Sequence, residues 1–488
     1  MDRLRASFET GISKSIAHRR KQLESLRRLM IEGKDEICAA LWKDLRRSSV
    51  QSLCYEVYSV VTECDCALEN LEKWIVPQQV RRPIEHVFDQ AVIVPEPLGV
   101  ALIMSAWNYP SLLMFAPLVG ALAAGNCVVL KPSEVASHTS EAIARLAAKF
   151  LDPDVVQVVC GGVPETTELL KQRFDHIFYT GSPAVGKIVM QAASKHLTPV
   201  TLELGGKSPV IVDEQTDMDV AVRRILWAKF VNAGQTCMAP DYLMCTGRSK
   251  PALIECMKST LKQFYGDDPS KSEDYGRIIN ERHFKRVERL LKGTSGNVVI
   301  GGKRDADDLF IEPTVLDNVS LDDVVMQEEI FGPILPIVTV TDLNEAFRIS
   351  NSREKPLAAY LFSSNSRTTD RFLTLTTSGG VTVNDCLLHS FLDTLPFGGV
   401  GHSGMGSYHG KFGFDTFSHQ KAVLHASIKG DSLSWMRYPP YDERKSKVLL
   451  DAFTSRRFYV PEFSCVKTAL WLLLGVAVGF SLKEFMMK

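Results

Sequence analysis

Short apolar runs and stretches of helical periodicity alternate along the chain from about residue 91. The predicted strands in this part are 92–94, 100–104, 127–130, 155–159, 176–179 and 200–204. The predicted helices between them are 136–151, 165–172 and 184–196. Alternation at this spacing indicates βαβ units and a parallel sheet, in which ligands bind at the carboxyl ends of the strands.

A second alternating series begins at 210–212, just after the glycine pair Gly205 and Gly206. Its predicted helices are 218–231, 250–265 and 281–292, with further strands near 298–300 and 334–340. Glycine tolerates many backbone conformations, so the pair is a natural pivot into a second α/β domain. Beyond Ser418 the periodicity fades into prolines and mixed charges, which predicts a linker.

The C-terminal segment ALWLLLGVAVGFSL (469–482) carries no charged residue. As a helix it is about 21 Å long at 1.5 Å per residue, and including 465–468 and 485–487 it approaches the roughly 30 Å hydrocarbon core. A buried core helix is the alternative. The terminal position and the uniformly apolar surface favour a membrane anchor, and the basic stretch before it favours the cytoplasmic side.

Composition places the chain among ordinary globular proteins. Of its 488 residues, 45% are hydrophobic, and 56 Lys plus Arg face 57 Asp plus Glu. That balance gives no reason to expect nucleic acid as a partner. The eleven cysteines form no disulfide framework, and Cys64-Asp-Cys66 lacks a second pair, so no metal site is expected. Leu23, Leu26 and Met30 recur at helical spacing, which predicts an amphipathic N-terminal helix.

One cysteine lies in a glycine-bearing turn, Asn232-Ala-Gly-Gln-Thr-Cys237, rather than in an apolar run. A thiolate in such a turn is a suitable nucleophile for a carbonyl carbon, although a core cysteine is the alternative. Glu203 ends a predicted strand at the domain junction, which suits a general base or an exposed strand end. Both alternatives remain open on these residues alone.

Three further segments resemble ligand-binding turns. Gly181, Ser182 and Pro183 follow a predicted strand and open a helix, which suits either a phosphate site or an ordinary βα turn. Lys131 and Glu134 follow another strand and can hold ribose hydroxyls, or form a solvated capping turn. The G-x-G-x-x-G match at 399–404 lacks the strand–helix context, so a tight structural loop is predicted there.

Longer runs extend these turns into a recognisable set. They are PLGVALIMSAWNYP (97–110), AAGNCVVLKPSE (123–134), FYTGSPAVGK (178–187), LELGGKSP (202–209), AGQTCMAPDY (233–242), MQEEIFGPILPI (326–337), PFGGVGHSGMGSYHG (396–410) and FDTFSHQK (414–421). Together they resemble the aldehyde dehydrogenase superfamily, specifically its family 3, over roughly residues 5 to 440. The run LKQRFDHIFYTG and the apolar tail are most similar to membrane-anchored fatty aldehyde dehydrogenases.

The resemblance implies oxidation of medium- and long-chain aldehydes to carboxylic acids through a thiohemiacetal and a thioester. Cys237 matches the nucleophile and Glu203 the general base. Asn108 matches the side-chain amide that holds the oxyanion, together with the Cys237 backbone N–H.

The resemblance also implies a nicotinamide cofactor, NAD with NADP possible. Glu329 and Phe331 match the residues beside the nicotinamide ribose. The remaining cofactor positions are Lys131 and Glu134 at the adenine ribose and Gly181, Ser182 and Gly186 at the pyrophosphate. Because the acid at Glu134 should repel a 2′-phosphate, we expect a preference for NAD.

The implied architecture is a Rossmann-like cofactor domain and an α/β catalytic domain with a small β oligomerisation arm. The expected bounds are 1–204 for the NAD-binding domain, with part of the arm near 78–100, 205–395 for the catalytic domain, 396–430 for the arm, 431–464 for a linker and 465–487 for the anchor. We expect a homodimer at the endoplasmic reticulum membrane, with the catalytic domain facing the cytosol.

Two departures from the family pattern and two rival functions remain. Met238 stands where many relatives carry a smaller aliphatic residue, and the C-terminus lacks a prenylation box, which leaves the apolar tail as the membrane device.

The first rival function is a hydrolase or acyl transferase, which would use the Cys237 thioester without redox chemistry. A membrane-tethered scaffold would have lost activity.

Overall fold

The computed structural model describes residues 1–83, 86, 88–428 and 435–454. The predicted anchor at 465–487 lies outside the described residues, as does part of the predicted linker. Within the described ranges, no helix is both long and apolar enough to cross a membrane. The chain divides into a larger unit, Met1–Trp74 with Pro97–Ser418, and a smaller unit, Ile75–Glu96 with the chain from His419 onwards.

The strands of the described residues fall into three sheets and a short two-stranded pair. In chain order they are β1 (Gln78–Gln79), β2 (Gln90–Pro97), β3 (Val100–Met104), β4 (Cys127–Lys131), β5 (Val156–Val158), β6 (His176–Gly181), β7 (Val200–Leu204), β8 (Pro209–Val212), β9 (Tyr242–Thr246), β10 (Asn297–Ile300), β11 (Arg304–Asp305), β12 (Phe310–Ile311), β13 (Thr314–Asp317), β14 (Ile334–Val340), β15 (Ala358–Phe362), β16 (Gly380–Val383), β17 (Gly404–Met405) and β18 (Ser418–His425).

The helices connect and cover these strands. They are α1 (Asp2–Glu9), α2 (Ile16–Glu32), α3 (Lys34–Leu45), α4 (Ser49–Ser52), α5 (Ser59–Trp74), α6 (Leu112–Ala124), α7 (Ser137–Phe150), α8 (Val163–Leu169), α9 (Pro183–Ser194), α10 (Met218–Phe230), α11 (Lys250–Tyr265), α12 (Glu281–Gly293), α13 (Leu343–Asn351), α14 (Ser366–Leu375), α15 (Gly410–Thr416) and α16 (Glu443–Thr454). Short 3-10 turns at Val231–Gly234 and Leu388–Phe391 matter for the site.

The first sheet has the strand order β17-β7-β6-β3-β4-β5. Its five longer strands are parallel, and only the pair β17–β7 within this sheet is antiparallel. Parallel strands are connected by crossovers, so their carboxyl ends lie at one edge of the sheet. Thr180 on β6 pairs with Glu203 on β7, which brings the end of β6 beside the predicted base.

The second sheet has the order β10-β13-β14-β9-β8-β15-β16 and is parallel except at β10. The chain passes from the first sheet to the second between Leu204 and Pro209, through the predicted glycine pivot. Gly206 there has φ +148, a conformation that favours glycine. Strands β8, β9, β14 and β15 are apolar and buried on both faces, as expected for a helix-covered parallel sheet.

The N-terminal helices belong to the larger unit and pack on the helices of the first sheet. Leu23, Leu26 and Met30 are fully buried on α2, so the predicted amphipathic helix is confirmed. Helix α2 contacts α5 and α6, and α3 contacts α7. This layer brings the segment between α3 and α5 towards the turn 232–237, since Arg47 and Asn232 both donate to the Asn108 carbonyl.

The C-terminal third differs from the expected layout in two places. The small sheet consists of β1, β2 and β18, whereas β17, inside the stretch predicted as the arm, pairs with β7 of the first sheet. Gly404 permits that pairing, because a Cβ there would lie 2.0 Å from the Leu202 carbonyl oxygen. In the stretch predicted as a linker, the structure has helix α16.

Candidate active site

Cys237 follows a turn of unusual backbone geometry at the end of α10. Asn232 has φ 54 and Gly234 has φ +75, so the chain passes through left-handed conformations. A Cβ on Gly234 would lie 2.3 Å from the Gly332 carbonyl oxygen. Asn232 and Gln235 donate their side-chain amides to each other's backbone carbonyl at 3.0 Å. The turn is therefore rigid, and it presents the thiol in a fixed position.

The Cys237 thiol donates to the Glu203 carboxylate, with Sγ 3.4 Å from Oε1. Glu203 is 1% exposed, and burial raises the pKa of its carboxyl to about 7. Burial and the adjacent carboxylate raise the pKa of the Cys237 thiol well above its usual value. Glu203 Oε2 is buried, and the neighbouring Thr180 hydroxyl opposes the effect of burial on the pKa of this carboxyl. The pair thus holds a thiol beside a carboxylate of adjustable charge.

Asn108 lies in the loop between β3 and α6 and is tied to the cysteine turn. Its side-chain Nδ2 donates to the Gln235 carbonyl at 3.1 Å, and its own carbonyl accepts from Asn232 at 2.9 Å. An amide nitrogen carries two N–H groups, so one bond to Gln235 leaves the second for an oxyanion. The structure therefore brings Asn108 to the same turn as Cys237.

A buried ion pair between Arg47 and Glu56 supports this loop, and the sequence analysis missed it. Arg47 also donates to the Asn108 carbonyl, and Glu56 accepts from the backbone N–H of Ser111 at 2.8 Å and of Leu112 at 2.9 Å. Burial raises the pKa of the Glu56 carboxyl against the opposing effect of Arg47. Arg47 stands beside Arg46 and Ser48, which suggests a solvated surface, whereas Glu56 lies in the apolar run 53–58, and that run was the one sequence signal that its carboxylate is buried.

A cavity of about 210 Å³ opens on one side of the cysteine. The predicted site residues that line it are Asn108, Gly181, Ser182, Glu203, Cys237, Glu329 and Phe331. Ser182 caps α9 by accepting from the Val185 N–H at 3.4 Å, and Pro183 occupies the first turn. The start of α9 therefore adjoins the cavity at Gly181 and Ser182, and a helix N-terminus favours a phosphate group. Seven of the ten predicted residues therefore meet in one cavity.

Glu329 and Phe331 enter this cavity from the loop before β14. Gly205 makes room for the carboxylate, because a Cβ there would lie 2.2 Å from Glu329 Oε2. Burial, then the charge of Asp241, raises the pKa of the Glu329 carboxyl to about 8. Phe331 packs edge-on against Trp107 with ring centroids 5.2 Å apart.

Lys131, Glu134 and Gly186 do not line that cavity. Lys131 is nearly fully buried at the end of β4 and binds Glu134 with Nζ 3.0 Å from Oε2. Gly186 lets α9 approach β7, since a Cβ would lie 3.1 Å from a Leu204 methyl group. Close helix–strand packing of this kind accompanies dinucleotide turns. The donor set thus suits a dinucleotide: a helix end for phosphate, and carboxylates for ribose hydroxyls.

A second cavity, of about 340 Å³, opens on the other side of Cys237 and Glu203. Aromatic and aliphatic side chains dominate its wall, among them Tyr55, Leu112, Trp227, Val231, Met238 and Phe391. Cys237 and Glu203 line both cavities, so a group bound in either one meets the thiol. Within the described ranges, no cluster of His, Cys, Asp or Glu is arranged to hold a metal ion.

His409 and Glu63 also line the second cavity and were not predicted. The imidazole Nδ1 bonds Glu63, whose other oxygen accepts from the Gly410 N–H at 3.0 Å. The His409 ring stacks on Tyr408 with centroids 4.3 Å apart. The two residues are 346 positions apart in sequence, so no local pattern could have paired them.

Comparisons with known proteins agree with this geometry. Residues 3–423 match the family described as "Aldehyde dehydrogenase family". The chain is 50% identical over 468 residues to aldehyde dehydrogenase family 3 member A2 of Mus musculus, covering 95% of this chain and 96% of that protein. It is 50% identical over 440 residues to the dimeric NADP-preferring aldehyde dehydrogenase of Mus musculus, covering 90% and 97%.

A solved structure, the substrate-bound state of Staphylococcus aureus AldH, is similar with a TM-score of 0.90 and 43% identity, covering 93% of this chain and 98% of that one. The family resemblance that the motifs suggested is confirmed. The chain belongs to the aldehyde dehydrogenase family, and it oxidises aldehydes to carboxylic acids with NAD or NADP.

Proposed function

We propose that this enzyme acts on medium- and long-chain aliphatic aldehydes, with Cys237 as nucleophile and Glu203 as general base. The proposal rests on the hydrogen bond from Cys237 Sγ to Glu203 Oε1, which is 3.4 Å long. Both residues line both cavities, so this bond lies where the two cavities meet. One cavity is apolar and suits the aldehyde chain. The other is lined by the predicted cofactor residues and suits the nicotinamide.

Glu203 takes the thiol proton as Sγ adds to the aldehyde carbon. A carboxyl group with a pKa of about 7 is largely ionised just above neutral pH, and it is a stronger base than an exposed glutamate. The second N–H of Asn108 and the backbone N–H of Cys237 hold the oxyanion of the resulting thiohemiacetal.

Glu329 and Phe331 would hold the nicotinamide end of NAD or NADP beside Cys237, where the cofactor would supply the hydride acceptor that converts the thiohemiacetal into a thioester on Cys237. Glu203 releases the thiol proton to solvent and is then ionised again, so that it can accept a proton from the water that attacks the thioester carbon. The carbon–sulfur bond breaks, the carboxylic acid leaves, and Sγ regains a proton.

The cofactor is held along the edge of the first sheet. Gly181, Ser182 and Gly186 form the pyrophosphate turn, and Lys131 with Glu134 contacts the adenine ribose. Glu329 and Phe331 hold the nicotinamide end. The partly exposed carboxylate of Glu134 disfavours a 2′-phosphate, so the enzyme prefers NAD.

The assembly is a homodimer in which the small sheet of β1, β2 and β18 serves as the arm. The NAD-binding domain covers 1–204 and the catalytic domain 205–395. Residues 465–487 anchor the protein in the endoplasmic reticulum membrane with the catalytic domain in the cytosol. The apolar run at 469–482 supports the anchor. Deleting 464–488 should move the protein into the soluble fraction with activity on soluble aldehydes retained, and continued sedimentation would contradict the proposal.

The central test is NADH formation from hexadecanal by the full-length protein and by Cys237→Ala. We expect turnover by the wild type, with kcat/KM rising from propanal to hexadecanal, and no turnover by the variant. Aldehyde oxidation that survives in Cys237→Ala would refute the nucleophile. An ester turned over as well without NAD as hexadecanal is with it would favour a hydrolase instead.

A further inference from the structure

The loop that carries Glu329 and Phe331 contains a strained residue. Phe331 has φ +45, a conformation that bulky side chains rarely adopt. Such strain persists only where the surroundings hold the backbone in place. The next residue, Gly332, lies close under α12, because a Cβ there would come within 2.9 Å of Val287. The loop is therefore held at a defined distance from this helix.

Arg286 of α12 holds the loop through its carbonyl groups. Its guanidinium donates from Nη1 to the Glu329 carbonyl at 3.2 Å, and from Nη2 to the Ile330 carbonyl at 2.6 Å and the Phe331 carbonyl at 3.4 Å. Nη1 also approaches Glu328 Oε1 at 3.4 Å. Three successive carbonyls converge on one side chain, and neither the motifs nor the mechanism above assigns it a role.

A second pair of charges holds the same loop through other backbone atoms. Asp241 accepts from the Ile330 N–H at 3.0 Å, and Lys207, its ion-pair partner, donates to the Glu328 carbonyl at 3.0 Å. The backbone from 328 to 331 is thus bound by three charged side chains. Of these three side chains, Arg286 lines the smaller cavity, which the predicted cofactor residues Glu329 and Phe331 also line.

We propose that Arg286 is a positioning residue that fixes the backbone of 329–331, so that Glu329 and Phe331 are preorganised for the nicotinamide end of the cofactor. The inference rests on the proposed role of those two residues. Preorganisation reduces the ordering cost of binding, so Arg286 acts on cofactor affinity more than on the chemical step. The guanidinium of Arg286 presents its five donors in a rigid planar fork, whereas a lysine ammonium is a single compact charge on a flexible stem.

The lysine variant separates this role from a direct attraction between the charge and the cofactor. Arg286→Lys keeps the positive charge in the cavity but loses the fork, and Arg286→Met loses both. Arg289→Lys is the matched control, because Arg289 lies on the same helix, is 70% exposed and approaches only the side chain of Glu328 in the described structure.

The test measures NADH binding by fluorescence titration and amide hydrogen exchange across 328–332 in the cofactor-free protein. We expect Arg286→Lys and Arg286→Met to raise the Kd for NADH about tenfold, equivalent to about 1.4 kcal/mol. Exchange in the loop should accelerate, and kcat should change less than the KM for the cofactor. Arg289→Lys should match the wild type in each measurement.

Wild-type affinity and exchange in Arg286→Lys would overturn the proposal. Weaker NADH binding in Arg286→Met but not in Arg286→Lys would also overturn the proposal, because it would indicate a simple charge effect. Failure of the wild type itself to bind NADH would instead contradict the proposed cofactor site. The two failures are therefore distinguishable.

Discussion

Replacing Arg47 with Met removes the cation of a buried ion pair and leaves the Glu56 carboxylate without its charged partner. Arg47 is 1% exposed and Glu56 is 0% exposed. Arg47 makes two hydrogen bonds, to Glu56 and to the Asn108 carbonyl. Bonds to charged groups contribute about 1.5–3 kcal/mol each. Loss of one partner of a buried ion pair costs roughly 3–5 kcal/mol. The hydrogen-bond estimate and the ion-pair estimate therefore overlap, and we expect Arg47→Met to lose about 3–5 kcal/mol of unfolding free energy.

The pH dependence of this loss has a definite sign. Burial raises the pKa of the Glu56 carboxyl, while Arg47 lowers it, so the variant should have a still higher pKa in the folded state. At any pH between the ordinary glutamate pKa and the raised pKa, the folded Arg47→Met protein binds more protons than its unfolded chain. Its stability should therefore recover as the pH falls through the raised pKa towards the ordinary glutamate value.

Urea unfolding followed by tryptophan fluorescence, repeated over a series of pH values, measures the effect. The control is Arg145→Met, which breaks a pair with Glu36 in which the Arg145 side chain is 61% exposed, and which should cost under about 1 kcal/mol. Arg47→Met with Glu56→Gln should regain part of the loss, because the buried charge is gone. An Arg47→Met midpoint equal to that of Arg145→Met, or no gain in the double variant, would refute the reasoning.

Three further predictions concern other parts of the site. Glu203→Gln should lower kcat by about 10²–10⁴-fold and abolish the rise of activity through pH 7. The reason is that the ionised form of this carboxyl, whose pKa is about 7, accepts the proton. An unchanged pH profile would contradict its role. Glu134→Ala should raise the ratio of kcat/KM for NADP to that for NAD about tenfold, and an unchanged ratio would leave the preference unexplained. Gly234→Ala should lose roughly 1–3 kcal/mol in urea unfolding, since its Cβ would meet the Gly332 carbonyl, whereas Gly266→Ala, at a similar φ with open space around it, should lose less.

The sheet strands were predictable because burial on both faces leaves continuous apolar runs. Val100–Met104, Val200–Leu204 and Ile334–Val340 have the predicted bounds. Helix α8 begins two residues before its prediction, since Pro164 is tolerated in a first turn. Strand β18 escaped prediction because most of its residues are exposed, so it shows no alternation of apolar and polar positions.

The catalytic turn was predictable through its own sequence, but its support was not. Asparagine and glycine at positions 232 and 234 are residue types that enter left-handed backbone conformations readily, so they indicate a turn by themselves. Arg47 and Glu56, which hold the Asn108 loop, stand 61 and 52 positions away from Asn108 in the chain, so no local pattern pairs them with it. Tertiary packing alone turns such residues into a buried pair, so one sequence carries no trace of it.

The same limit affects the choice between the dehydrogenase and a hydrolase. The histidines lie far from Cys237 in sequence, yet His409 lines the cavity that contains the thiol, so a cysteine–histidine arrangement is geometrically available. The hydrogen bonds argue against it, because the thiol donates to Glu203 while His409 Nδ1 is bound to Glu63. A base already bonded to the thiol is better placed than an imidazole held by another carboxylate. The Glu203 carboxylate also lines the cavity of the predicted cofactor residues, so the proposed nucleophile and base adjoin the proposed nicotinamide site, as the dehydrogenase reaction requires.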